Sequence, residues 1–128
     1  MEITLDTHTL IWYIDKGLNT KLSVNALHSI KEAEANGIIY LPVIVLMEIL
    51  HLIEKGKVLL SFVKFLSLIE SCHNYKVIPL DINLIKVAKT LTGLEVHDRL
   101  ILATSILTNS SLISKDKELR TIGVQVVW

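Results

Sequence analysis

The sequence predicts an α/β domain with a central, mostly parallel sheet flanked by helices on both faces. Three observations lead there. Short strand-like runs alternate with runs of helical period, the order from which parallel sheets are built. The 128 residues suffice for one domain with an enclosed core. No internal repeat, low-complexity segment or linker divides them, so residues 1–128 are expected to form a single domain.

Glu2–Leu5 reads as the first strand, ending at Asp6. Thr7 is placed to cap a helix through Leu10, Ile11, Tyr13 and Ile14 that stops near Gly17. Ser23 starts a second helix, with Leu27, Ile30 and Ala33 at helical spacing and Asn36–Gly37 as its C-cap. Ile38–Leu41, apolar and β-branched, is the second strand. Pro42 suits the first turn of a helix running to about Lys55, where its missing N–H has no partner to lose. Gly56 breaks that helix, and another is expected from Val58 to Ser71. The second is apolar on nearly every face, which makes the hairpin 42–71 a candidate interface. Val77–Pro79 reads as the third strand, and Asp81 caps a helix carrying Leu84, Ile85, Val87, Ala88 and Leu91, ended by Gly93. Asp98 is expected to open an apolar helix from Arg99 to Leu107. Asp116 closes the strand Leu112–Ile113, and Gln125–Val127 forms a last strand at the sheet edge.

Composition narrows the function classes. Hydrophobic residues make up 51% of the chain, and the mean hydropathy is +0.51. A small domain so apolar is expected to keep surface for a partner. Lys plus Arg and Asp plus Glu each number 13, so no global field draws the protein to nucleic acid and any phosphate binding must be local. The single Cys72 excludes an intramolecular disulfide, and no Cys/His spacing resembles a zinc site. The opening MEITLD lacks the basic and apolar regions of a signal peptide. The apolar run Ile38 to Leu50 is interrupted by Pro42 and Glu48 and is shorter than the roughly 20 residues of a membrane span. A cytoplasmic protein with no membrane partner is expected.

The acids carry the chemistry. In a parallel sheet, ligand sites form beyond the carboxyl ends of the strands, where the strand-to-helix loops emerge. Asp6 follows the first strand, Asp116 follows the strand at 111–113, and Asp98 stands at a helix start in the same kind of unit. Taken singly, each reads as a cap or turn residue; together they suggest a shared site. Glu48 interrupts VIVLMEIL, among neighbours that make a buried carboxylate costly unless it is protonated, paired or bound to a cation. The alternative is that Glu48, His51 and Lys55 turn one helix face to water. Four gathered carboxylates repel one another, and hard cations such as Mg²⁺ or Mn²⁺ relieve that repulsion through oxygen ligands.

LDTHTLIW at 5–12, LMEIL at 46–50, HDRLILATSI at 97–106 and LISKDKEL at 112–119 together resemble the ordered motifs of the PIN-domain ribonucleases. Among these, the VapC-like toxins of prokaryotic toxin–antitoxin pairs are similar in length and motif order. The resemblance implies a three-layer PIN-like fold and Mg²⁺-dependent cleavage of RNA, with Mn²⁺ as a substitute. It places Asp6, Glu48, Asp98 and Asp116 on the family's catalytic, metal-holding quartet, and Thr7 and Ser114 on accompanying hydroxyl positions. It also implies an antitoxin partner and a homodimer, with the hairpin 42–71 and the first helix as the two surfaces. Two departures stand out: Pro42–Val45 lacks the small hydroxyl residue often found before the glutamate, and His97 replaces an aromatic residue.

Neighbouring residues admit two readings each. His8 and His97 are either hydrogen-bonded histidines or contacts for a phosphate or a metal-bound water. Arg99 either holds a phosphate or pairs with a carboxylate. Lys115, Lys117 and Arg120 form a solvated turn or a basic rim meeting the RNA backbone. Trp12 and Tyr13, at helical spacing with apolar neighbours, read as core or interface residues. Asp6–Thr7–His8–Thr9 lacks the second carboxylate of a haloacid-dehalogenase-type phosphatase, and receiver, serine-hydrolase and P-loop patterns are absent. The remaining rivals are a catalytically silent PIN-like binding module and a PIN nuclease of RNA processing outside a toxin–antitoxin pair.

Overall fold

Five parallel strands run through the centre of the protein. In the computed structural model, which describes residues 1–121 and 123–128, these are β1 (Glu2–Leu5), β2 (Ile38–Pro42), β3 (Tyr75–Ile78), β4 (Ser111–Ile113) and β5 (Val126–Val127). They stand in the order β3-β2-β1-β4-β5, each pair parallel, with Thr4 beside Tyr40 and Leu5 beside Ile113. Between them lie α1 (Thr7–Ile14), α2 (Val24–Asn36), α3 (Val43–Glu54), α4 (Phe62–Ser71), α5 (Ile82–Ala88) and α6 (Val96–Thr108), with 3₁₀ turns at Lys16–Lys21 and Lys117–Thr121. The centre of the sheet is buried on both faces. Ile3, Thr4 and Leu5 of β1 are all inaccessible, as are Leu112 and Ile113, and successive strand side chains point to opposite faces. The α/β fold expected from the alternating pattern is the one observed.

This strand order positions the site. From β1 the chain moves to β2 on one side and later returns to β4 on the other, so the loops after β1 and β4 diverge. Such a reversal leaves a crevice at the carboxyl edge of the sheet. A polar seam holds α6 in register behind that crevice. The Thr4 and Ser110 hydroxyls bond at 2.6 Å, Thr108 Oγ1 meets Ser110 Oγ at 2.8 Å, and Ser105 Oγ donates to the Ser110 carbonyl. Asn109, with φ +51°, ends α6 in the left-handed region, where asparagine is tolerated, and lets Ser110 N–H bond back to the Ser105 carbonyl.

Several expected boundaries shift, each for a local reason. Asp6 caps α1 rather than Thr7, because its Oδ1 accepts from Thr9 N–H. Pro42 closes β2, and α3 begins after it without a side-chain cap. The helix expected from Val58 begins at Phe62, because Ser61 Oγ accepts from Lys64 N–H and starts the turn there. Glu95, not Asp98, caps α6, its carboxylate accepting from the N–H groups of His97 and Asp98. Gly37 is no left-handed cap. A Cβ there would lie 1.8 Å from the Met1 carbonyl oxygen, so the close approach of the two backbone segments requires glycine.

The apolar surplus has a location. Leu59, Val63 and Leu68 around α4, and Met47 on α3, remain exposed, while α4 buries only Phe65 and Ile69. No helix among the described residues is long and apolar enough to cross a membrane.

Candidate active site

Four carboxylates line one cavity of about 310 Å³ at the crevice: Asp6, Glu48, Asp98 and Asp116, together with Thr7, His8, Thr9, Trp12, Ile101 and Lys115. Each arrives on a different element. Asp6 sits between β1 and α1, and Glu48 sits on the second turn of α3. Asp98 is in the first turn of α6, and Asp116 follows β4. Residues 110 positions apart in the sequence thus share a pocket, because parallel strands deliver their loops to the same edge.

Hydroxyls and a histidine fix two of the acids. Asp6 Oδ1 accepts from Thr9 N–H at 3.0 Å, and Oδ2 accepts from Ser114 Oγ. Ser114, fully buried, in turn accepts from Asp116 N–H at 3.1 Å and so ties the two aspartates together. Thr7 Oγ1 donates to Glu48 Oε1 at 2.6 Å, and His97 Nδ1 stands 3.1 Å from Glu48 Oε2. The cost of Glu48 among apolar neighbours is therefore met by two polar partners, and its side chain keeps 27% of its surface accessible. Among the described residues the Asp98 carboxylate has no such partner. Burial, and then the charges of Asp116, Glu95, Glu48 and Asp6, push its carboxyl up to about 6 from the ordinary 3.8.

Other expected residues divide. Lys115 lines the cavity, its ammonium 5.9 Å from the centre of the Trp12 ring. His8 packs against Trp12 at 5.7 Å and also lines the pocket. Lys117 and Arg120 are exposed on the following 3₁₀ turn and do not line it. Arg99 is turned away. Its Nε donates to the Ala88 carbonyl at 2.7 Å and its Nη2 to the Lys89 carbonyl, so it caps the end of α5 rather than holding a phosphate or a carboxylate. Tyr13 also points elsewhere, donating to Glu34 of α2, which accepts from Tyr75 as well. Glu95 was not legible as a site neighbour. It adds negative charge beside Asp98, and its own carboxyl is held low chiefly by the bond from His97 N–H.

The four carboxylates, with hydroxyls behind them, offer oxygen donors that suit a hard divalent ion rather than a soft one. Among the described residues, no three acidic, histidine or cysteine side chains are gathered tightly enough to hold an ion as they stand. Asp98 shows the same state from the side of charge: burial and the surrounding carboxylates hold its carboxyl above the usual range.

The PIN domain family matches the sequence over residues 3–125. The chain belongs to the PIN domain family. PIN domains are nucleases, which sets the coarse chemistry as phosphodiester hydrolysis. Searching the curated proteins returns no match. Solved structures give the same fold as this PIN domain. VapBC2 from Rickettsia felis, bound to a DNA fragment from its promoter, superposes with a TM-score of 0.75 at 19% identity, over 98% of this chain and 97% of that one. A toxin–antitoxin complex from Klebsiella pneumoniae gives 0.65 at 18% identity, over 98% and 96%. FitAB bound to a DNA fragment gives 0.63 at 17%, over 97% and 92%. At these identities the likeness is one of fold.

Proposed function

We propose that this PIN domain is a Mg²⁺- or Mn²⁺-dependent endoribonuclease acting as the toxin of a cytoplasmic toxin–antitoxin pair. The observation that carries this is the convergence of Asp6, Glu48, Asp98 and Asp116 on one pocket at the carboxyl edge of the sheet. These four carboxylates would hold the ion. When bound, it would supply charge that acidifies a water and offsets the charge developing on the phosphoryl oxygens. The chain's own residues do the positioning. Ser114 and Thr9 N–H hold Asp6, Thr7 and His97 hold Glu48, and each pair fixes its carboxylate at the pocket wall. Asp98 and Asp116 face the same space and orient the attacking water by accepting its hydrogens. Lys115 stands at the wall to meet a phosphate oxygen.

Two supports favour a toxin over a nuclease of RNA processing. A solved structure of the same fold, from Klebsiella pneumoniae, is described as a toxin–antitoxin complex. Exposed Met47, Leu59, Val63 and Leu68 also provide apolar surface for an antitoxin segment and for a homodimer. The deciding experiment is RNA cleavage with Mg²⁺ or Mn²⁺ by the wild type beside Asp6→Asn and Asp98→Asn. Wild-type cleavage lost in both variants is expected. Equal cleavage by all three would remove the site assignment, and no cleavage by any would favour a silent binding module.

A further inference from the structure

A second cavity adjoins the acid pocket and shares two of its walls. It encloses about 430 Å³ between α1, the turn Lys16–Lys21 and the segment after α3. Its lining includes His8 and Trp12, which also line the acid pocket, and adds Lys21, Lys57 and Leu59. We propose that this cavity is the path by which single-stranded RNA leaves the acid pocket, with Lys21 and Lys57 holding the phosphate next to the scissile one. The inference rests on the nuclease reading and adds a direction and a second contact zone to it.

Three observations place the strand there. The protein has no net charge, so an anionic polymer must follow whatever local positive potential lies beside the four acids. Lys21 and Lys57 supply it. Both are exposed, and among the described residues neither forms an ion pair with a carboxylate, so no acid neutralises their charge. The acid in this cavity, Asp15, is turned to its own backbone, accepting from Gly17 N–H at 3.0 Å.

Trp12 links the two cavities. Lys115, in the acid pocket, and Lys21, in the second cavity, both hold their ammonium groups within 6 Å of its ring centre, at 5.9 and 5.8 Å. Cation–π attraction keeps two flexible lysines at the mouths of adjacent cavities and reduces the entropy lost when phosphates arrive. Trp128 meets the Trp12 ring in a T-shaped contact at 5.9 Å and His8 packs beside it, so Trp12 acts as a partition and anchor, not as a stacking platform for a base. Adjacent small cavities suit consecutive units of one extended strand. A duplex presents its phosphates on a wide outer surface and would not enter them.

The test measures binding apart from cleavage. A short fluorescein-labelled single-stranded RNA is titrated without divalent ions against the wild type, the Lys21→Ala/Lys57→Ala double variant, and a charge-matched Lys76→Ala/Lys86→Ala control on exposed positions outside the cavity. Cleavage with Mg²⁺ is followed in parallel. The Lys21/Lys57 variant is expected to bind about tenfold more weakly, with the slope of log K against log salt flattened by roughly 1 to 1.5, while the control matches the wild type. In cleavage, the same variant raises KM with little change in kcat. Equal affinity and salt slope in the Lys21/Lys57 variant, with cleavage intact, would overturn the path and leave the nuclease reading standing. Lysine-dependent binding by a protein that cuts nothing would uphold the path and overturn the nuclease. Absence of RNA binding by the wild type would overturn the path.

Discussion

Ser114 and Asp98 show how differently two residues of one pocket are treated. The Ser114 hydroxyl is fully buried and fully used, donating to Asp6 and accepting from Asp116 N–H. Removing it leaves a carboxylate oxygen and a backbone N–H without their partner. Ser114→Ala is therefore expected to cost about 1–3 kcal/mol in urea unfolding and to slow RNA cleavage. A variant as stable as the wild type would show that the link does no structural work. Asp98 is the opposite case, a carboxyl raised to about 6 by burial and by the acids around it. The folded state thus binds its proton more tightly than the unfolded state, whose value stays near 3.8. Stability from this group is present below about 4 and is lost as pH rises through about 6. With divalent ions chelated, Asp98→Asn should melt higher than the wild type at pH 7.5, and the two should converge by pH 4. Thermal melts at both pH values check the sign, and a lower-melting variant at pH 7.5 would contradict it.

At the scale of elements, Arg99 and Glu95 exchange the roles that their positions suggest. Arg99 follows Asp98 directly, yet its bonds to the Ala88 and Lys89 carbonyls spend it on the end of α5. Cationic groups near helix C-termini stabilise them. Arg99→Ala is accordingly expected to lower the melting temperature while leaving KM for RNA unchanged; a raised KM at constant stability would return Arg99 to the substrate. Glu95 caps α6 and keeps Asp98 within the first turn, facing the pocket. The elements themselves were legible. Ser23 and Asp81 cap α2 and α5 as their side chains suggest, and the apolar runs of β1 and β2 read directly as strands. What escaped was long-range or uncommon. Glutamate is not among the favoured N-cap residues, so Glu95 gave no signal. Arg99 depends on a contact between helices that no local pattern encodes. The apolar residues Val58 to Leu60 carry helical composition, but Ser61 starts the turn after them.

For the whole molecule, the positions of the four acids were legible because the strand alternation implied a parallel sheet: Asp6 and Asp116 directly follow β1 and β4, Glu48 lies in the helix after β2, and Asp98 stands in the first turn of α6, which follows α5. Their convergence needed the order β3-β2-β1-β4-β5, which sets the β1 and β4 loops on the two sides of one crevice. That convergence has a thermodynamic consequence separate from catalysis. Acids and bases balance overall at 13 each, so the negative charge at this edge is local crowding, and a divalent ion that binds only the folded state must stabilise it. At a hundredfold excess over its dissociation constant, Mn²⁺ should add about 2.7 kcal/mol. Asp98→Asn and Asp116→Asn should reverse the balance: each relieves repulsion and melts higher than the wild type without metal, and each loses most of the Mn²⁺ increment. A pocket that takes no ion would show the first change without any Mn²⁺ increment. An increment that persists in both variants would place the ion elsewhere on the protein, and the pocket would then have to be explained by its hydrogen bonds alone.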